Sequence, residues 1–173
     1  PTSGTPQGAV ISPLLANLYL NPLDHLLAES GIAMIRYADD FVMMCRSRAE
    51  ADQALAKVQA WVEENGLTLH PTKTKIVDAR TDGFDFLGYT FRPRRSKNRH
   101  GKYFVNFTPS VSDKAVKAIR EEIRSWNLHL RSDKAIEDLS RMFNPIIRGW
   151  LQYYGRFYRS ALYPPMRQLD RSL

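Results

Sequence analysis

Residues 36–44 read RYADDFVMM: two adjacent aspartates, Asp39 and Asp40, inside an otherwise apolar, strand-like run. Neighbouring carboxylates repel, and stripping their hydration is costly. The flanking stretches AMIRY (33–37) and FVMMC (41–45) read as two short strands around Ala38-Asp39-Asp40, a β-hairpin with an acidic tip. Such a tip is cheap to build if a divalent cation sits there. Magnesium takes hard oxygen ligands, keeps several waters, and is held by one or two carboxylates plus substrate phosphates. Two such ions about 4 Å apart clamp the attacking and leaving oxygens of a phosphoryl transfer. Successive strand residues face opposite ways, so Asp39 and Asp40 are expected to do unequal work. The same residues also fit an ordinary Asp-rich hairpin turn.

Working outward, Ser47-Arg48-Ala49-Glu50 has the form of a capping box. The helix after it carries Ala51, Leu55, Val58 and Val62 on one face and ends at Gly66. Upstream, ISPLLANLYLNPLDHLLAESG (11–31) reads as a helix capped by Ser12, with Pro13 in its first position and Gly31 as its stop. Pro22 is expected to kink or break it. Downstream, HPTKT (70–74) is a turn or loop with two lysines. FDFLGY (84–89) and YFVNF (103–107) are expected to pair as strands, joined by the loop 92–102.

After Pro109 the pattern becomes helical. Val116, Ile119, Ile123 and Trp126 mark one amphipathic helix, and Ile136, Leu139 and Phe143 a second, shorter one. Asn144-Pro145 reads as a cap opening a third, carrying Ile146 to Tyr158 and ended by Pro164-Pro165. Three such helices make a small bundle. The fold class expected is α+β, an antiparallel sheet with packed helices over 1–110, then a helical domain over 111–173.

The 173 residues are 43% hydrophobic, enough for a real core, and hold no apolar run long enough to span a membrane. The single cysteine, Cys45, excludes an internal disulfide and a Cys-rich zinc site, and reads as a buried free thiol in a reducing, intracellular setting. The net charge of +7 is unevenly spread. RPRRSKNRHGK (92–102) has six Lys/Arg and no acid, and residues 111–173 have twelve against seven. The remaining residues hold seven basic and eleven acidic side chains. An acidic front followed by basic segments suggests a polyanionic partner held near a metal-binding carboxylate site; a solvated basic surface is the alternative.

Longer motifs narrow the reading. Tyr37-Ala38-Asp39-Asp40 resembles the YxDD box of reverse transcriptases. Gly4-Thr5-Pro6-Gln7-Gly8, with the run from Ile11 to Leu20, resembles the GTPQG–ISPLLANLYL block of group II intron reverse transcriptases, also called maturases. Residues 66–74 are similar to their next block, and Phe86-Leu87-Gly88-Tyr89 to the one after. Arg148-Gly149-Trp150, followed by Tyr153-Tyr154, resembles their thumb or X domain. The order agrees over nearly the whole chain.

The resemblance implies a C-terminal part of a reverse-transcriptase palm followed by a thumb. It implies catalytic and metal-binding roles for Asp39 and Asp40, with two Mg2+ ions in the complete enzyme. Ala38 would face the primer end, and Pro6, Gln7 and Gly8 would floor the template and incoming nucleotide. Lys73 would lie near the triphosphate, and Phe86, Leu87, Gly88 and Tyr89 would form the primer grip. Taken singly, these are also a surface lysine, a turn and a core strand. Ala9 stands where the family usually has glycine, a small departure. The family's further catalytic aspartate precedes the GTPQG block, where this chain starts, without an initiator Met. The chain is therefore expected to be a fragment, inactive alone, whose unpaired hairpin edge favours a dimer or swapped oligomer.

Arg92, Arg94, Arg95, Lys97, Arg99 and Lys102 are expected to touch phosphates, as are Lys114, Lys117, Arg120 and Arg124 on a helix face largely opposite Ile119 and Ile123. Arg148 and Arg156 are less clearly placed. Trp150, Tyr153, Tyr154 and Phe157 fit either stacking on bases or core packing, and their helical spacing favours the core. The partners implied are intron RNA, an RNA template with a DNA primer, and dNTPs, with no membrane, in a ribonucleoprotein of the bacterial cytoplasm. Two other readings stay open: an RNA-binding splicing maturase that does not polymerise, and a retron- or CRISPR-type reverse transcriptase.

Overall fold

The structure, a computed structural model, describes residues 10–131 and 133–172. Helices and short antiparallel strands give it an α+β architecture. The chain divides into two compact units between Ile76 and Val77.

In the first unit, α1 (Ser12–Glu29) runs unbroken through Pro22. Proline there forfeits a single backbone bond to the carbonyl four residues back. The turn that follows is fixed by Leu23 and Leu27, both fully buried, so packing outweighs the local preference. Ile11 occupies the cap position and Ser12 is the first helical residue, one place later than its sequence suggests. The helix ends where Gly31 turns left-handed, at φ 72°, and Ile32 N donates to Leu27 O at 3.0 Å.

Strands β1 (Ala33–Tyr37) and β2 (Asp40–Met44) pair from Ala33↔Met44 to Tyr37↔Asp40. The loop between them is therefore only Ala38-Asp39, and Asp40 is the first residue of β2. Helix α2 (Arg48–Glu64) follows, with Ser47 Oγ accepting from Glu50 N at 3.2 Å. The Glu50 carboxylate reaches back to Arg46 N at 2.5 Å, completing the capping box one residue early. Its buried stripe is Ala54, Val58 and Val62; Ala51 and Leu55 are half-buried. Leu23, Leu27 and Ile32 meet that stripe to form the core, with Met34, Phe41 and Met43 of the hairpin packed on it. Cys45 is a free thiol on the same core, half-buried rather than buried; burial and the Glu50 carboxylate push its pKa up.

The second unit departs most from expectation. FDFLGYTF is itself a hairpin: β3 (Phe84–Phe86) pairs with β4 (Tyr89–Phe91), and β4 also pairs with β7 (Ser110–Val111). Leu87 and Gly88 both have positive φ, 50° and 78°, as a two-residue hairpin turn requires. YFVN therefore does not pair with FLGY. Strand β6 (Tyr103–Asn106) pairs with β5 (Arg94–Lys97), drawn from the basic segment that was expected to be a loop. The bend between β5 and β6 is closed by Asn98, whose Oδ1 accepts from His100 N and Lys102 N, both at 2.9 Å.

Ser112 caps α3 (Asp113–Ser125), and Ser112 N donates to Gly88 O at 2.9 Å, so turn and helix start are tied together. Helix α4 (Ile136–Tyr154) continues straight through Asn144-Pro145, where a new helix was expected to begin. Asn144 Nδ2 bonds back to Ser140 Oγ instead of capping, and buried Phe143 pins the turn from inside. Phe157 and Tyr158 lie beyond the helix, which Gly155 closes. Pro164-Pro165 sit in the first turn of α5 (Tyr163–Asp170) rather than terminating a helix, the position that tolerates a missing N–H. Among the described residues this unit has three α-helices; α3 lies where the first was expected, and the bounds of the other two differ.

Val111, Ile119, Ile123, Trp126, Leu128, Phe143, Leu162 and Leu169 form the second core. The composition changes at β7 to α3, yet the strands of 84–111 pack with the helices. The Tyr89 ring packs tilted or edge-on against Tyr153, Tyr154 and Phe157, with centroids 5.2–5.6 Å apart. Its hydroxyl donates to Tyr153 O, and Tyr153 Oη donates to Leu87 O at 2.9 Å. A Cβ at Gly88 would sit 2.9 Å from Tyr154 Oη in a left-handed conformation. We expect Gly88→Ala to lower stability by about 1–2 kcal/mol, read as a shifted urea midpoint.

Candidate active site and nucleic-acid interface

The β1–β2 pairing decides where each acid points. Tyr37, Ile35 and Ala33 lie opposite Asp40, Val42 and Met44, so these six share one sheet face. Met34, Arg36, Phe41 and Met43 share the other, toward α1 and α2. Asp40 therefore stands beside Tyr37, which is 67% exposed, on the solvent side of the hairpin. Asp39 occupies the turn itself. Both aspartates are exposed, and among the described residues neither side chain makes a hydrogen bond or ion pair.

The turn is held from behind by Arg36. Its Nε donates to Asp24 Oδ1 at 2.8 Å and its Nη2 to Asp24 Oδ2 at 2.5 Å, a two-pronged pair from β1 to α1. Its Nη1 donates to Asn17 Oδ1 at 3.0 Å and to the backbone oxygen of Ala38 at 2.9 Å. One guanidinium thus ties the helix to the apex of the acidic hairpin. Ala38 needs this support, because its φ of 54° is left-handed and unfavourable for a residue with a Cβ. The Arg36 charge is thus paired with Asp24, and no cation among the described residues forms an ion pair with Asp39 or Asp40.

The hydrogen bonds from Arg36 hold the Asp24 carboxyl below its ordinary value of 3.8, more than burial raises it. A depressed carboxyl stabilises the fold above its unfolded pKa, and that contribution is lost as pH falls through the folded value. Side-chain exposures of 11% for Arg36 and 33% for Asp24 place the pair between surface and buried cases. We expect Asp24→Asn to cost about 1–2 kcal/mol at pH 7, with the deficit shrinking below the ordinary carboxylate range. Urea unfolding across that pH range measures it.

Asp39 and Asp40 are hard, unpaired, solvent-facing oxygen donors, which is the donor chemistry magnesium takes. Among the described residues no group of three His, Cys, Asp or Glu converges on one point. Lys73 lies in the same unit, exposed in a turn where its N–H donates to His70 O at 3.2 Å. Pro6, Gln7 and Gly8 fall outside the described residues. Phe86 to Tyr89 belong to the second unit, as the β3–β4 turn and its flanks.

The basic hairpin β5–β6 presents most of its cations. Arg92, Arg95, Lys97, Arg99 and Lys102 are exposed. Arg95 lies over the Tyr103 ring at 4.0 Å, with Lys97 at 5.5 Å, so both stems are ordered by one aromatic face. Arg94 is different. It turns inward, donates to Ser110 Oγ and stacks on Tyr158 at 5.2 Å, and burial pulls its pKa down. Its position is that of an anchor for the hairpin. On α3, Lys114, Lys117 and Arg124 are exposed and Arg120 is half-buried; Lys117 leans toward Glu121 at 3.9 Å. Arg148 and Arg156 are exposed on and beyond α4. Trp150 and Tyr154 pack on the core, whereas Tyr153 and Phe157 are exposed at 48% and 50% and touch it through the Tyr89 ring.

The Arg36–Asp24 clamp escapes a reading of isolated motifs. Its trace in the sequence is period two: Arg36 alternates with Ile35 and Tyr37, so it lies on the core face with Met34 and needs an acid there.

Residues 1–91 match the family described as "Reverse transcriptase (RNA-dependent DNA polymerase)", and residues 116–173 the "Group II intron, maturase-specific domain". The chain belongs to the reverse transcriptase family, in the form that carries a group II intron maturase domain. It is 25% identical to "Uncharacterized 91 kDa protein in cob intron" of Schizosaccharomyces pombe, over 88% of this chain and 28% of that protein. It is 33% identical to "Protein YkfC" of Escherichia coli K12, over 60% of this chain and 36% of that protein. The chain thus spans about a third or less of these curated relatives. No helix among the described residues is long and apolar enough to cross a membrane.

Proposed function

We propose that this chain supplies the metal-binding carboxylates, the primer-proximal hairpin and part of the thumb of a group II intron RNA-directed DNA polymerase. The observation that carries the reading is the acidic turn: two unpaired carboxylates, one in a two-residue loop and one on the strand beside it, with the loop backbone clamped from behind. Asp39, at the apex, is the principal ligand, and Asp40, on the open sheet face, its neighbour. Together they would hold magnesium, two ions in a complete palm, which when bound would supply Lewis-acid activation of the primer hydroxyl and charge neutralisation for the departing pyrophosphate. Lys73 offers a cation, or a proton, to the departing oxygens. Ala38 faces the primer end, and the family resemblance assigns the nucleotide floor to Pro6, Gln7 and Gly8.

Phe86 to Tyr89 grip the primer strand. The exposed cations of β5–β6 and α3 track phosphates without reading sequence. Intron RNA is the natural template and partner, in a bacterial ribonucleoprotein. A second reading, RNA-binding maturase activity in splicing, is favoured by the maturase-specific match at residues 116–173. One chain can serve both.

Primer extension on an RNA template by the full-length parent protein tests the first reading. Synthesis is expected with Mg2+ and none with chelator. RNA binding with no extension under any divalent ion would leave only the second.

A further inference from the structure

Helices α3 and α5 enclose a shallow cleft lined by Arg120, Arg124, Arg167 and Arg171, with Pro164 and Gln168 completing it. No carboxylate lines it, and among the described residues none of the four arginines has an acid within ion-pair distance. Four like charges around one hollow repel one another, so the arrangement is stable only with an anion or solvent between them. We propose that this cleft is a seat for the sugar–phosphate backbone of RNA. The inference rests on the nucleic-acid reading above and adds a location to it, including two arginines on a helix that carried none of the expected phosphate-binding residues.

The cleft is built, not incidental. Gln168 Nε2 donates to Arg120 O at 3.2 Å, joining the two helices across its floor. Behind it, Ile119, Ile123 and Leu169 fix the helices through the buried core. On each helix the two arginines are four residues apart, about 6 Å along the axis, the scale of neighbouring phosphates on one strand. Guanidinium forks match phosphodiester oxygens in two-pronged fashion. A lipid surface is the other common polyanion, but a membrane-surface site needs an apolar flank to insert. Pro164 is the single apolar residue in this lining.

Counterion release gives a direct test. The slope of log K against log salt shrinks by about 0.7–0.9 for each phosphate that the protein ceases to neutralise. The protein is titrated into a labelled RNA hairpin over a salt series. Arg167→Gln/Arg171→Gln is expected to weaken binding at low salt and to reduce the slope by roughly 1–2. Arg167→Lys/Arg171→Lys is expected to recover the slope. Arg141→Gln/Arg159→Gln, an equal charge change elsewhere in the unit, is expected to leave it nearly intact. A matching urea midpoint shows that the Gln variant is folded; if it is not, the Lys variant and the single substitutions carry the test.

An unchanged slope in the Gln variant, or an equal fall in the Arg141/Arg159 control, would overturn the cleft while leaving the nucleic-acid reading in place. Loss of binding to phosphatidylserine vesicles with RNA affinity unaffected would overturn it too. Absence of RNA binding by the unaltered protein would overturn both.

Discussion

Asp39→Ala in the full-length parent protein is expected to cut RNA-templated DNA synthesis by roughly a thousandfold or more, the several kcal/mol that metal stabilisation of the transition state supplies. RNA affinity is expected to stay within about twofold, because sequence-independent affinity comes from cations meeting phosphates. The separation follows from geometry. Asp39 sits in the turn, makes no hydrogen bond among the described residues, and is exposed, so its removal breaks no packing. The basic ribbon and α3 belong to the other compact unit. Asp40→Ala is expected to have a smaller effect, since Asp40 stands on the strand beside Tyr37 rather than at the apex. Parallel kinetics and filter binding on both variants, with a thermal melt to confirm the fold, decide the matter. Synthesis that survives Asp39→Ala would remove the metal-ligand role. A parallel loss of RNA affinity would make the acids structural.

Trp126→Ala should destabilise the second unit by about 3–5 kcal/mol, the usual cost of emptying a large aromatic site. Trp126 is 4% exposed. Its indole lies stacked between Phe143, centroids 4.3 Å apart, and Trp150, at 5.6 Å with the planes within 8° of parallel. The ring N–H donates to Glu122 at 3.0 Å, and its backbone oxygen accepts from Arg131 Nε at 2.7 Å. Truncation thus removes a filler shared by the end of α3, the middle of α4, and the Arg131 segment between them. Trp126→Phe keeps most of the stack and is expected to cost about half as much. Urea unfolding followed by near-ultraviolet circular dichroism reports it, because the parallel indoles of Trp126 and Trp150 couple. An unfolding midpoint unmoved by the alanine would refute this account of the core.

What the sequence made legible was local. The acidic hairpin shows itself through two apolar runs with a gap, and β1 lies where AMIRY was read. The Ser47 and Glu50 cap is likewise contained within four residues. The errors have a common origin in distant contacts. Pro22 and Pro145 look like breaks, yet Leu23, Leu27 and Phe143 hold their turns from inside the cores. The β3–β4 hairpin hides because its turn is Leu87-Gly88, and leucine gives no hint of a left-handed φ. Tyr153 Oη supplies the reason from across the unit by binding the Leu87 carbonyl. At the site, the carboxylates were readable and their clamp was not, since Asp24 and Arg36 are twelve positions apart and meet only when α1 lies against β1.

The bonds joining Tyr89 and Leu87 to Tyr153 run in both directions between one hairpin and one helix end. Such a double latch leaves no independent hinge. A tilt of the C-terminal turn of α4 is therefore expected to carry the Leu87-Gly88 loop with it.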